Sequence, residues 1–145
     1  MINIGVIGYG YWGPNLVRNF AELTEARVAA VSDLSQDRLD LVQRRFPGVK
    51  TTTRFQDLLD DPSIDAIAVA TPVGTHFELG MAALKADKHL WLEKPMTETS
   101  LQARQLVAEA ERRNRVLIVD HTFIYTPAVR KMGEIIRSGD LGQVY

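Results

Sequence analysis

The amino-acid sequence predicts an α/β fold: a doubly wound parallel sheet with helices on both faces and strand order 3-2-1-4-5-6. Three observations carry this expectation. Short apolar runs alternate along the 145 residues with segments of helical periodicity. The run Ala66-Ile67-Ala68-Val69-Ala70 is apolar throughout, as suits a strand covered on both faces. The first run, Ile2 to Ile7, leads without a break into Gly8-Tyr9-Gly10-Tyr11-Trp12-Gly13 and then into an amphipathic stretch, Pro14 to Leu23. Right-handed crossovers turn this alternation into the stated strand order.

Each element has its own signal. Ile2 to Ile7 is the first strand, and Pro14 suits the first turn of the helix that follows, where a missing N–H costs nothing. Val28–Val31 is the second strand. Ser35 starts a helix that carries Leu39, Val42 and Phe46 on one face and stops at Pro47-Gly48. Thr51–Thr53 is a short third strand, and Arg54–Asp60 a short helix with Phe55, Leu58 and Leu59 inward. Ala66–Ala70 is the fourth strand. Thr75-His76-Phe77-Glu78 matches a capping box and opens a helix through Ala86. His89–Leu92 is the fifth strand. Thr99-Ser100-Leu101-Gln102 opens the next helix, with Leu106, Val107 and Ala110 inward. Val116–Val119 is the sixth strand, and Pro127–Arg137 a last helix bearing Val129, Met132, Ile135 and Ile136. Leu141 to Tyr145 reads as a turn and the beginning of a further strand, so residues 1–120 are expected to form one domain and 121–145 the last helix and the start of a second domain not present here.

Composition narrows the function classes. A net charge of −1 offers no basic field for nucleic acid. The absence of cysteine excludes disulfides and thiolate metal sites, and fits a cytoplasmic protein. No apolar stretch is long enough to cross a bilayer, and no metal site is expected.

The glycine hexapeptide is a phosphate-binding turn in outline. Gly8 allows the tight turn, Gly10 removes a side chain where a pyrophosphate approaches the backbone, and Gly13 lets the helix lie close to the strand. The N–H groups and positive end of the helix then face the phosphates. Asp33 follows the second strand about twenty residues beyond the glycines, where a dinucleotide fold places the acid that binds the adenosine ribose. Its carboxylate favours NAD and would repel the 2′-phosphate of NADP. The alternative is an acid that merely starts the turn into the next helix. Ser35 is available as the cap, so Asp33 is not needed for that purpose.

In a doubly wound sheet, ligands lie beyond the carboxyl ends of the strands. Polar residues concentrate there: Thr71-Pro72-Val73-Gly74-Thr75-His76 after the fourth strand, Glu93-Lys94-Pro95 after the fifth, and Asp120 to Tyr125 after the sixth. Gly-Tyr-Gly-Tyr-Trp-Gly at 8–13, Asp33, Ala-Thr-Pro…His at 70–76 and Glu93-Lys94-Pro95, in this order, resemble the glucose–fructose oxidoreductase, inositol dehydrogenase and rhizopine-catabolism (Gfo/Idh/MocA) family, over essentially the whole chain. The resemblance implies an N-terminal NAD(P)-binding Rossmann domain. A second α/β domain then supplies much of the substrate pocket, an acid–base His and the oligomer interface, so the full-length protein would be a homo-oligomer. The Gly-Tyr-Trp-Gly-Pro-Asn version at 10–15 looks most like members that oxidise nucleotide-linked sugar acids, such as UDP-sugar acids, at C3.

Carried over by position, Thr71 and Pro72 would lie along the cofactor and His76 near it. Without the resemblance, Thr71-Pro72 is an ordinary strand exit and His76 a solvated first-turn residue. Lys94 would lie near the nicotinamide and the reacting hydroxyl, as a catalytic cation or part of a proton relay; the alternative is a surface lysine. Glu93 would orient Lys94 or face water. The resemblance and the sharp turn after the fifth strand imply a cis Lys94–Pro95 bond. Many relatives carry Asn and Arg where this chain has Thr122 and Ile124, and His121 and Tyr125 stand as replacements in the pocket. Arg38 is either a stacking partner for adenine or a solvated helix charge, and Trp12 packs under the cofactor or completes the core. The cofactor set is thus Gly8, Tyr9, Gly10, Tyr11, Trp12, Gly13, Asp33, Thr71, Pro72, His76, Glu93 and Lys94. The expected function is hydride transfer between a sugar hydroxyl and NAD. The rival readings are a non-catalytic nucleotide-binding or redox-sensing module, and a domain of this shape that takes another nucleotide or none.

Overall fold

A computed structural model describes residues 1–143 of the chain. Six parallel strands form one sheet in the order β3-β2-β1-β4-β5-β6, as the crossover rule requires. The strands are β1 (Ile2–Ile7), β2 (Ala26–Ser32), β3 (Lys50–Thr52), β4 (Ala66–Val69), β5 (His89–Leu92) and β6 (Leu117–Val119). Helices α1 (Gly13–Ala21), α2 (Gln36–Arg45), α3 (Gln56–Asp60), α4 (His76–Lys85), α5 (Ser100–Arg112) and α6 (Pro127–Ser138) follow the strands in alternation. The strand start expected at the end of the chain falls partly on Val144 and Tyr145, outside the described residues.

The sheet has two cores because both of its faces are covered. On one face Leu16, Val17 and Phe20 of α1 and Leu39 and Val42 of α2 pack on Ile4, Val6, Val28 and Val31. Trp91 of β5 extends this core, its ring set edge-on to Phe20 at a centroid distance of 5.6 Å. On the other face Leu58 of α3, Ala83 and Leu84 of α4 and Leu106 and Ala110 of α5 pack on Ile7, Ile67, Val69, Leu90 and Leu92. Strand residues therefore alternate between two apolar layers, which is why the runs in the sequence show almost no polar interruption.

The helix ends divide into those the sequence announces and those it misreads. Thr99 caps α5, its hydroxyl accepting from the Gln102 N–H at 3.2 Å. Thr99→Ala is expected to cost roughly 1 kcal/mol, near the middle of the range for lost N-caps, and a thermal melt should fall by roughly 3 °C. The capping box expected at Thr75 does not form. A 3-10 turn over Val73–Thr75 precedes α4 and leaves Thr75 in helical geometry. Its hydroxyl instead donates to the Pro72 carbonyl at 2.7 Å and lies 2.7 Å from the Thr71 hydroxyl. Ser35 is the N-cap residue of α2 but makes no side-chain cap bond. Val107, expected inward on α5, is 42% exposed, because the helix turns Leu106 and Ala110 to the sheet. On α6 no residue is fully buried, and Met132 and Ile136 are half exposed.

Candidate functional site

The direction of the chain reverses between β1 and β4, since β2 and β3 lie on one side of β1 and the later strands on the other. Backbone loops must part at such a point, and a crevice opens beyond the strand ends. Here it is a cleft of about 1070 Å³. That volume reaches the top of the range of roughly 300–1,000 Å³ usual for small-molecule sites, room enough for a dinucleotide.

Gly8, Gly10, Tyr11 and Trp12 form one wall. Gly8 has φ of +97°, and its N–H donates to the Ser32 carbonyl at 2.7 Å, so the chain turns sharply off β1 while still tied to β2. A methyl group on Gly10 would meet only the Arg38 guanidinium, at 3.7 Å, so the backbone here is open to a ligand. A methyl on Gly13 would lie 2.2 Å from the Gly8 carbonyl oxygen, so α1 starts in contact with the turn itself. Tyr11 is 93% exposed, and its ring stacks on Trp12 at 6.2 Å. Trp12 thus stands at the cleft and not in the core.

Asp33 joins the turn to the end of β2. Its carboxylate accepts from the Tyr9 N–H at 2.6 Å and from the Ser35 N–H at 2.9 Å. Arg38 reaches from α2 to within 3.5 Å of both carboxylate oxygens. An ionised carboxylate has about four acceptor sites, so two backbone donors leave capacity for a ligand hydroxyl, with Arg38 alongside. Sequence reasoning had left Arg38 between a stacking role and a solvated charge; the structure places it on the cleft. The i, i+5 spacing to Asp33 was the available signal, since α2 begins just beyond that acid.

Thr71, Pro72, Glu78 and Leu79 form the opposite wall, and Glu93, Lys94, Asp120, Thr122 and Phe123 the end of the cleft. Lys94 is exposed and the Lys94–Pro95 peptide is cis, as expected. Three residues of the expected cofactor set lie behind these walls. The side chain of Tyr9 is buried in the α1-side core, and only its backbone N–H serves the turn. Gly13 supports the turn from below. His76 is 1% exposed, with Nδ1 3.0 Å from the Pro95 carbonyl oxygen and Nε2 2.8 Å from that of Thr71. It bridges the loops after β4 and β5 and so fixes the strand exit that presents Lys94. His121 and Tyr125, considered as pocket residues, give way to Asp120, Thr122 and Phe123.

Glu93 and Asp120 are both buried, at 7% and 8% exposure, on neighbouring strand ends. Burial pushes the Glu93 carboxyl up to about 7, with the hydrogen bond and charge of Asp120 adding to the rise, against the opposing pull of Lys94. Sequence reasoning did not select Asp120; only the β5–β6 pairing brings it beside Glu93. Among the described residues no cluster of His, Asp and Glu could hold a metal ion, and no helix is long and apolar enough to cross a membrane.

The cleft fits a nicotinamide dinucleotide: glycine backbone open at Gly10, a helix N-terminus facing it, and a carboxylate at the end of β2. Comparison with known proteins agrees. The pattern of the Gfo/Idh/MocA oxidoreductase family, NAD-binding Rossmann fold, matches residues 2–121. The chain is 36% identical over 143 residues to the uncharacterised oxidoreductase YdgJ of Escherichia coli K12, covering 99% of this chain and 41% of that protein. It is 28% identical to the myo-inositol 2-dehydrogenase of Thermotoga maritima, over 98% of this chain and 42% of the relative. A 3-ketoreductase from Actinomadura kijaniata, solved with TDP-benzene and NADP, superimposes with a TM-score of 0.87 at 29% identity, over 95% of this chain and 42% of that one. The chain thus spans about two fifths of the length of the relatives it matches.

Proposed function

Because the chain belongs to the Gfo/Idh/MocA oxidoreductase family with its NAD-binding Rossmann fold, we propose that it is the cofactor half of an enzyme that transfers hydride between a sugar-type hydroxyl and NAD. The observation that carries this reading is the presence of Lys94 in the same cleft as Gly10 and Asp33. A nucleotide-binding module without catalysis needs the second and third of these, but gains nothing from a lysine at the far end. The nicotinamide ring supplies the hydride acceptor or donor. The protein holds the phosphates at Gly8, Gly10 and the start of α1, and the adenosine ribose at Asp33. Lys94 places a cation where the reacting oxygen develops charge and holds or releases a proton there.

A substrate domain in the remainder of a longer chain belongs to this proposal, as does assembly into a homo-oligomer through that domain. The relatives' greater length supports the further domain; the homo-oligomer rests on the family resemblance. The narrower substrate class is a nucleotide-linked sugar acid oxidised at C3. It rests on the Gly10-to-Asn15 segment; a structural neighbour described as a 3-ketoreductase, held with a TDP ligand, supports the nucleotide link and the 3-position.

The test is calorimetry of the purified chain with both cofactors. NAD is expected to bind more tightly than NADP, and Asp33→Ser to narrow the gap, because the ribose loses its carboxylate and a 2′-phosphate gains Arg38 without a competing charge. Equal affinities in the unsubstituted chain would overturn the ribose assignment. The serine variant should be checked for folding, since it also loses the short bond from Tyr9.

A further inference from the structure

We propose that Glu93 and Asp120 share a single proton, and that this pair sets the charge against which the Lys94 ammonium is held at the end of the cleft. The inference rests on the reading of Lys94 given above, and adds two positioning residues to it.

The placement follows from the sheet. β5 and β6 are neighbours in parallel register, Leu92 opposite Val119, so the next residue on each strand leaves the sheet at the same level. Those residues are Glu93 and Asp120. Backbone bonds hold both exits: the Glu93 N–H donates to the Val69 carbonyl at 3.0 Å, and the Asp120 N–H to the Leu92 carbonyl at 2.9 Å. Two carboxyl groups are thereby kept side by side with little freedom to separate.

Their environment disfavours two full charges at once. Both residues are more than nine-tenths buried. Oε1 of Glu93 is buried and has no donor when both groups are written as carboxylates. An orphaned buried acceptor is destabilising, and like charges on neighbouring strand ends repel. One proton placed between the groups removes both difficulties: one carboxyl becomes a donor and the other its acceptor. The burial and the Asp120 contact that raise Glu93 are the physical expression of the same arrangement. The proton belongs to the pair and not to either residue.

The charge arithmetic then involves Lys94. With one proton the pair carries −1, and the charge of Lys94, the residue after Glu93, acts on it in the opposite sense. When the proton leaves, the pair carries −2 and holds the ammonium more strongly. Other groups around the pair do not substitute for this. His121, the residue after Asp120, is exposed, and Glu78 of α4 is exposed on the cleft wall. His76, also on α4, lies with its ring nitrogens against the Thr71 and Pro95 carbonyls, a neutral ring donating to one of them. Helix α5 presents Leu106 and Ala110 to the sheet.

The experiment is a carboxyl-carbon NMR titration of the chain without cofactor or substrate, combined with the acylation rate of Lys94 by an amine-directed reagent as a function of pH. In the unsubstituted chain one carboxyl at this site is expected to titrate near 7. In Asp120→Asn the Glu93 carboxyl should fall toward the ordinary range of glutamates. Lys94 should be acylated several-fold faster in Asp120→Asn than in the unsubstituted chain above that midpoint, and equally fast between the ordinary glutamate range and that midpoint, because over that interval each protein carries a single negative charge at this site. Ordinary titration of both carboxyls in the unsubstituted chain, which needs no variant to fold, would overturn the shared proton. A Glu93 midpoint that stays near 7 in Asp120→Asn would assign the effect to burial alone and overturn the pair. Lys94 acylation profiles that coincide at every pH would overturn its link to Lys94. None of these readouts depends on cofactor binding or turnover, so the pair can fail while the proposed function stands, and the reverse.

Discussion

Gly13→Ala is expected to destabilise the chain by about 3 kcal/mol, the upper part of the range for overpacking substitutions, and to lower its melting temperature by roughly 10 °C. The added methyl would sit 2.2 Å from the Gly8 carbonyl oxygen and 3.0 Å from the carbonyl carbon. Neither atom can rotate away, as the end of a flexible side chain could. Gly8 is itself held by its N–H to Ser32 and by a backbone angle that other residues rarely adopt. The strain must therefore be relieved by moving the start of α1 off the turn, which also loosens Leu16 and Val17 from the sheet. Gly10→Ala is the control. Its methyl enters the open cleft, with only Arg38 nearby at 3.7 Å. Stability should change by less than about 1 kcal/mol, within the scatter of surface substitutions and small backbone effects, while NAD affinity falls because the methyl occupies the approach of the pyrophosphate. Thermal melts and calorimetry on the two variants separate the roles. If Gly13→Ala melted like the unsubstituted chain, the contact between α1 and the turn would not be a constraint on this fold.

That pair of substitutions also marks how far the sequence could be read. The purpose of each of the three glycines is legible in the sequence, because spacing after an apolar strand leaves few alternatives. The strand order was legible for the same reason. Double-covered strands such as Ala66–Val69 show as unbroken apolar runs, and crossover handedness removes the competing topologies. Local chemistry was harder. Thr75 has the spacing of a capping box, yet Pro72 begins a 3-10 turn that spends its hydroxyl on the Pro72 carbonyl. Val107 falls on the helical stripe, but α5 turns Leu106 and Ala110 to the sheet and leaves Val107 at 42% exposure. His76 reads from the sequence as a solvated first-turn residue or a group near the cofactor; in the fold it is buried against the carbonyls of Thr71 and Pro95, the second nineteen residues away. Asp120 stands out in the sequence only as one polar residue at a strand end, with nothing to link it to Glu93. Its importance arises from strand pairing with β5, which brings residues 93 and 120 together, and a single sequence does not display side-chain adjacency across strands.

Lys94→Ala carries the largest expected effect on activity. In the longer protein proposed above, turnover should fall by roughly 10²–10⁴-fold, the usual contribution of a positioned acid–base group, with NAD affinity little changed. The reason is geometric. The contacts proposed for the nucleotide, at Gly8, Gly10, the start of α1 and Asp33, lie at the ends of β1 and β2, whereas Lys94 leaves β5 on the other side of β1 and β4. Removing its side chain withdraws charge from the reacting oxygen and leaves the phosphate and ribose contacts alone. The 145-residue chain by itself should bind NAD, because those contacts stand on one sheet with two complete cores. It should form no NADH with a panel of sugars and nucleotide-sugar acids. Orientation of two reactants can supply about 7–11 kcal/mol of a barrier, and an exposed lysine offers charge without a pocket to orient the substrate. Steady-state kinetics on the longer protein and single-turnover absorbance on the chain check the two halves of this prediction. Dehydrogenase activity from the chain alone would mean that the substrate pocket lies within these residues. Normal turnover in Lys94→Ala would return Lys94 to the surface lysines, and with it the strongest argument for catalysis over simple nucleotide binding.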